Sequence, residues 1–119
     1  MAAPNVANVG TITGKTAVQS VGTSLTAIVT NSAASGQVYK INSLVVANID
    51  GTAAADISIS VRRSAVDYYI AKTIAVPADS SLVVIERGST VWLEEGDAIF
   101  CLASATGDLQ AVCGYEVIS

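Results

Sequence analysis

The segment Gly10-Thr11-Ile12-Thr13-Gly14-Lys15-Thr16 holds the residue types of a phosphate cradle, with two glycines, a lysine and a threonine in order. In such a loop the backbone N–H groups and the ammonium hold phosphate oxygens, and the hydroxyl holds Mg²⁺. Here three residues separate the glycines where the loop needs four, and residues 17–22 offer no helix whose N-terminus could hold the anion. The segment is not a phosphate site. Glu94, Glu95, Asp97 and Asp79 are the other candidates, as an acid–base pair for glycoside hydrolysis or as Ca²⁺ ligands. All four fall in turn signals, where solvated charge is expected, and their spacing matches no calcium loop.

The chain contains no histidine, so Ser–His and Cys–His pairs and imidazole metal ligands are excluded. Cys101 and Cys113 each lie six residues from Gly107, in the turn signal Thr106-Gly107-Asp108. A hairpin centred there sets them opposite one another, where a disulfide is sterically demanding, so they read as small, reduced, buried hydrophobes. The sequence therefore predicts no catalytic residue, no cofactor and no metal, and the chain reads as a non-enzyme.

What remains are residues that could make contacts. Tyr68, Tyr69 and Trp92 are half of the six aromatic residues. Consecutive tyrosines on a strand point to opposite faces, which predicts one in the core and one outside. An exposed Tyr69 or Trp92 could anchor a protein interface or stack on a sugar, while Trp92 could equally fill the core. The six basic residues form no stripe for nucleic acid, and no apolar run is long enough to cross a membrane as a helix. The start of the chain lacks the basic and apolar regions of a signal peptide, which predicts folding in a cytosol.

The elements that must carry these residues are strands. Between Ala55 and Arg63, Ile57, Ile59 and Val61 alternate with Asp56, Ser58, Ser60 and Arg62, the two-residue period of a half-buried strand. Similar segments run over 23–30, 37–48, 68–76, 81–86, 91–93, 98–103 and 109–118. Asp50-Gly51 is expected to join 37–48 to the Ala55–Arg63 strand as a hairpin turn, and Pro77-Ala78-Asp79, Arg87-Gly88 and Glu94-Glu95-Gly96-Asp97 separate later ones. This predicts an all-β, jelly-roll-like antiparallel sandwich of about seven to nine strands, with 98–103 and 109–118 as its last hairpin. Residues 1–22 offer Val6, Val9, Ile12 and Val18 as isolated apolar anchors in a segment rich in glycine, alanine and asparagine. They read as an extended arm, or a loosely attached first strand, outside a sandwich of residues 23–119, with Val6, Val9 and Ile12 as contacts to a neighbour.

Composition points to association. Charged residues are 13% of the chain against about 25% in ordinary domains, while 51% are hydrophobic and the net charge is −4. A neutral, apolar surface lacks the repulsion that keeps copies apart.

Asp67-Tyr68-Tyr69-Ile70, Val76-Pro77-Ala78, Ser81-Leu82-Val83-Val84-Ile85 and Val91-Trp92-Leu93-Glu94-Glu95-Gly96-Asp97 together resemble small β-sandwich virion proteins of tailed bacteriophages, especially those of cyanobacteria. The strand 44–48 and the ending 109–116 fit the same pattern, so the resemblance spans roughly residues 37–119. It implies a structural role in the virion: a capsid decoration (cement) protein, expected as a homotrimer bound to the major capsid protein, or a neck, baseplate or fibre part. A carbohydrate-binding module using Trp92 or Tyr69 is the alternative of a different class.

Overall fold

The computed structural model describes residues 10–119. Among the described residues nine strands form: β1 (Ile12–Val21), β2 (Thr26–Thr30), β3 (Val38–Asn48), β4 (Ala55–Arg63), β5 (Val66–Val76), β6 (Ser81–Ile85), β7 (Val91–Leu93), β8 (Ala98–Ala103) and β9 (Leu109–Ile118). The only helical element among the described residues is a 3₁₀ turn at Arg87–Ser89. The strands make two antiparallel sheets. The first, sheet A, has the order β1-β9-β3-β6, with β7 pairing β3 beside its other half; the second, sheet B, has the order β2-β8-β4-β5.

The pairings are nested: β1 with β9, β2 with β8, β3 with β6 and β7, and β4 with β5. The chain is thus one long antiparallel ribbon whose successive rungs fall in alternate sheets. Two further pairings, β3 with β9 and β4 with β8, close the roll. With β6 and β7 taken as one interrupted strand, this is the eight-stranded jelly-roll order, so the expected fold class holds.

The period of two explains which side of each strand is buried. Ile41, Leu44 and Val46 of β3, Ile57 and Ile59 of β4, Ile99 and Cys101 of β8, and Leu109, Ala111 and Cys113 of β9 meet between the sheets with no polar side chain among them. Burying such side chains is the main favourable term in folding, roughly 1.5–3 kcal/mol for each large one.

Two buried asparagines fix the places where the chain changes sheet. Asn31, between β2 and β3, donates Nδ2 to the carbonyls of Gln37 and Leu93, both at 3.0 Å, and accepts Ser35 Oγ at 2.6 Å. Asn48, the last residue of β3, donates Nδ2 to the carbonyls of Ala53 and Val76, both at 2.9 Å, and accepts Asp50 N–H at 2.9 Å. Each amide thereby joins a carbonyl of its own crossing to one at the end of another strand.

Three expectations are corrected. Residues 98–103 and 109–118 do not form a hairpin: β8 lies in sheet B and β9 in sheet A. The five residues between them cross from one sheet to the other, so Cys101 and Cys113 project into the core from opposing sheets, both free and fully buried. Asp50-Gly51 likewise lies in a crossing, since β3 and β4 do not pair. Finally, the sandwich does not begin at residue 23. Ile12–Val21 lies in sheet A, paired residue for residue with β9 from Ile12↔Ile118 to Val21↔Leu109. Its side chains are mostly exposed and only Val21 is buried, so backbone hydrogen bonds to a well-buried neighbour hold it in place. Val6 and Val9 lie outside the described residues.

Candidate assembly interface

The candidate contact residues fall on three surfaces. Tyr69 lies on the outer face of sheet B, in the row Tyr69–Ser60–Phe100–Ala27. Three of the charges on this face, Arg62, Asp67 and Lys72, are already engaged. Arg62 grips Asp67 with Nε to Oδ1 at 2.8 Å and Nη2 to Oδ2 at 2.9 Å, and its guanidinium carbon sits 3.8 Å from the Phe100 ring centre. The hydrogen bonds from Arg62 hold the Asp67 carboxyl below the ordinary carboxylate range. Lys72 lies 4.2 Å over the Tyr69 ring.

Tyr68 faces the other way but is also exposed, against the expectation of one core tyrosine. The reason is that β5 is the rim of sheet B, and Ile70 bulges out of its pairing with β4. Tyr68 lines a groove of about 370 Å³ with Val61, Arg63, Val91 and Trp92 at the open edge between the sheets. Trp92 therefore does not fill the core; it is partly exposed, and Lys40 Nζ lies 5.8 Å from its ring centre.

The turn acids separate. Glu94 and Glu95 keep solvent contact, whereas Asp97 is only 2% exposed, contrary to the expectation of solvated charge. Its carboxylate accepts Arg63 Nε at 2.9 Å, Arg63 Nη2 at 2.6 Å and the Glu94 N–H at 2.9 Å. Gly96 supplies the left-handed conformation (φ 88°) that lets this turn close. Glu95 accepts the Gly36 N–H at 2.8 Å, so the turn acids fix loops. Asp79 sits in its own turn and donates its backbone N–H to the Asp50 carbonyl. No group of three or more metal-ligating side chains gathers among the described residues.

The third surface, the outer face of sheet A, was not singled out from the sequence. The strand register builds four rows across it. They are Ser20–Gln110–Ala47–Ser81, then Val18–Val112–Val45–Val83, then Thr16–Gly114–Ser43, and last Gly14–Glu116–Lys40–Trp92. The second row is valine on all four strands, with Val18 74%, Val112 46% and Val83 56% exposed. The first three rows contain no charge. In the fourth, Lys40 and Glu116 face each other at 3.9 Å. Gly114 keeps the third row flat, since a Cβ there would stand 3.0 Å from Ser43 Oγ. Ile12, also exposed, lies at the far end of β1, opposite Ile118.

These surfaces belong to an all-β jelly-roll domain, as the strand order shows. Neither protein-family profiles nor curated proteins gave a match. Among solved structures, the fold is similar to a chain of the Bacillus endospore appendages, described as disulfide-linked pili. There the TM-score is 0.55 and the identity 17%, over 92% of this chain and 88% of the other. It is also similar to a chain of the acid-stable capsid of the Helicobacter pylori bacteriophage KHP30, with a TM-score of 0.53 and 6% identity over 94% and 90% of the two chains. At these identities the likeness concerns the fold.

Proposed function

We propose that this chain is a structural subunit of a tailed-bacteriophage virion, assembled in the host cytoplasm, and specifically a decoration (cement) protein of the capsid. The observation that carries this reading is the uncharged, valine-rowed outer face of sheet A on a rigid jelly roll. Large exposed apolar side chains in a continuous row mark a surface meant to be covered. The fold likeness to a phage capsid chain over nearly the whole length supports the same reading.

The mechanism is passive. A homotrimer of the chain bridges neighbouring copies of the major capsid protein, and apolar surface buried across subunit boundaries must be returned to water before the shell can expand. Tyr69, Trp92 and Ile12 stand on the surface as contacts. A place in the neck, baseplate or fibre uses the same surfaces with another partner.

The groove between Tyr68 and Trp92 favours a second reading, as a carbohydrate-binding module, because two exposed aromatics flank a concave surface. The test is re-addition of purified protein to capsids that lack it. A cement protein binds at saturating stoichiometry and raises the temperature at which the capsids open. Binding to isolated tails alone supports the tail reading, and binding to glycans but to no particle supports the module.

A further inference from the structure

We infer that the outer face of sheet A is a self-association surface, on which a second copy of this chain packs its own sheet A face to face. The inference deepens the structural reading above and rests on it only for the many-copy setting.

Three features point to a second copy as the occupant. The first is charge. The chain carries a net −4, so copies repel wherever their charged surfaces meet. On this face, eleven positions in three consecutive rows are Ser, Gln, Ala, Val, Thr or Gly, and the fourth row's Lys40 and Glu116 neutralise each other. A copy can meet a copy here without burying an unpaired charge. The outer face of sheet B differs, because Arg62, Asp67 and Lys72 would have to be desolvated.

The second feature is shape. The valine row crosses all four strands, with Val112 and Val45 directly paired at its middle. Two such faces related by a two-fold axis through that middle set valine row across valine row, at the roughly 30° of aligned sheet packing. Small residues on both sides of the row, Gly114 among them, let the sheets approach.

The third is area. Four strands about 4.8 Å apart and three rows about 7 Å apart span only a few hundred Å², less than the ~800 Å² per partner of a stable interface. The pairing is therefore weak between free molecules and becomes strong only where other contacts hold copies at high local concentration. Because β5 and β2, the edges of sheet B, take no part, contacts that build a trimer remain available.

Sedimentation velocity of the full chain over a concentration series tests this. The wild type is expected to pass reversibly from monomer to dimer between about ten micromolar and one millimolar, in keeping with its small area. Val112→Lys, at a position open to solvent, should keep the circular dichroism spectrum and weaken association at least about ten-fold, since it sets like charges face to face. A wild type that stays monomeric up to one millimolar overturns the inference, as does a Val112→Lys variant that associates like the wild type. Mild oxidation gives an independent check. Val112→Cys should yield disulfide-linked dimers readily and Thr30→Cys, on sheet B, should not; equal yields overturn it. All of this is read on free protein, so a monomer that still occurs in particles removes the pairing and leaves the virion reading intact. Dimers of a chain found in no particle do the reverse.

Discussion

Arg63, at the end of β4 in sheet B, grips the buried Asp97 through two parallel hydrogen bonds, and the same Nη2 reaches Glu94 Oε2 at 2.7 Å. Asp97 opens the way into β8 from the turn that follows β7, so this contact ties the end of sheet A to sheet B at the groove beside Trp92. A carboxylate with so little solvent must keep its donors.

Arg63→Ala should therefore cost about 2 kcal/mol of folding stability, less than the 3–5 of a fully buried pair because Arg63 is itself half exposed. Adding Asp97→Ala should cost less than the sum of the two single changes, because no buried charge is then stranded. Urea titrations of the four proteins measure this, and strict additivity would show that the two side chains do not act together.

The thiols predict an alkaline weakness. Burial pushes Cys101 up to about 12, with the neighbouring Cys113 adding to it, and burial raises Cys113 to about 11, from an ordinary value near 9. Below pH 9 both states carry protonated thiols and the full stability is present. Above it the unfolded chain loses these protons and the folded chain does not, so stability falls between about pH 9 and 11–12, by up to about 1.4 kcal/mol per pH unit for each thiol. A Cys101→Ala, Cys113→Ala double variant, though less stable at pH 7 for loss of packing, should show a shallower decline of stability over that window. Parallel slopes would assign the alkaline loss to other groups.

The β4–β5 hairpin turns through Ser64 and Ala65, both at positive φ (53° and 63°), a conformation that favours Asn-Gly over residues with ordinary side chains. Replacing them by Asn and Gly should raise stability by about 1 kcal/mol, seen as a higher urea midpoint at unchanged slope. A loss of stability would mean the turn is not of this type.

Asn48→Asp preserves shape but turns two donor contacts into a carboxylate facing the carbonyls of Ala53 and Val76. It should destabilise the fold by about 2–3 kcal/mol or more at pH 7. A neutral result would mean that this crossing is not held by the amide.

Much of the fold was legible because strands buried on one side keep a two-residue period; the run Ile57, Ile59, Val61 carries it openly. Position relative to the sheets was not. A five-residue link between β8 and β9 serves a hairpin and a crossing equally well, and the alternation of Ile99, Cys101, Leu109 and Cys113 is the same in both. The strand β1 was legible only as an alternative to a free arm, for a different reason. An edge strand held by hydrogen bonds to β9 needs few apolar side chains, so its sequence lacks the pattern that betrays the others. The valine row was invisible in sequence because Val18, Val45, Val83 and Val112 become neighbours only through the register of four strands. The charge depletion that such a face requires was readable from composition, without its location.

The most direct measurement of the central claim is a cryo-electron microscopy reconstruction of the purified phage particle in which strands are traced. This jelly roll is expected on the capsid, in many symmetry-related copies, with Val18, Val45, Val83 and Val112 covered by protein. A particle without this chain, or one in which the chain is present and that row faces bulk solvent in every copy, would contradict it.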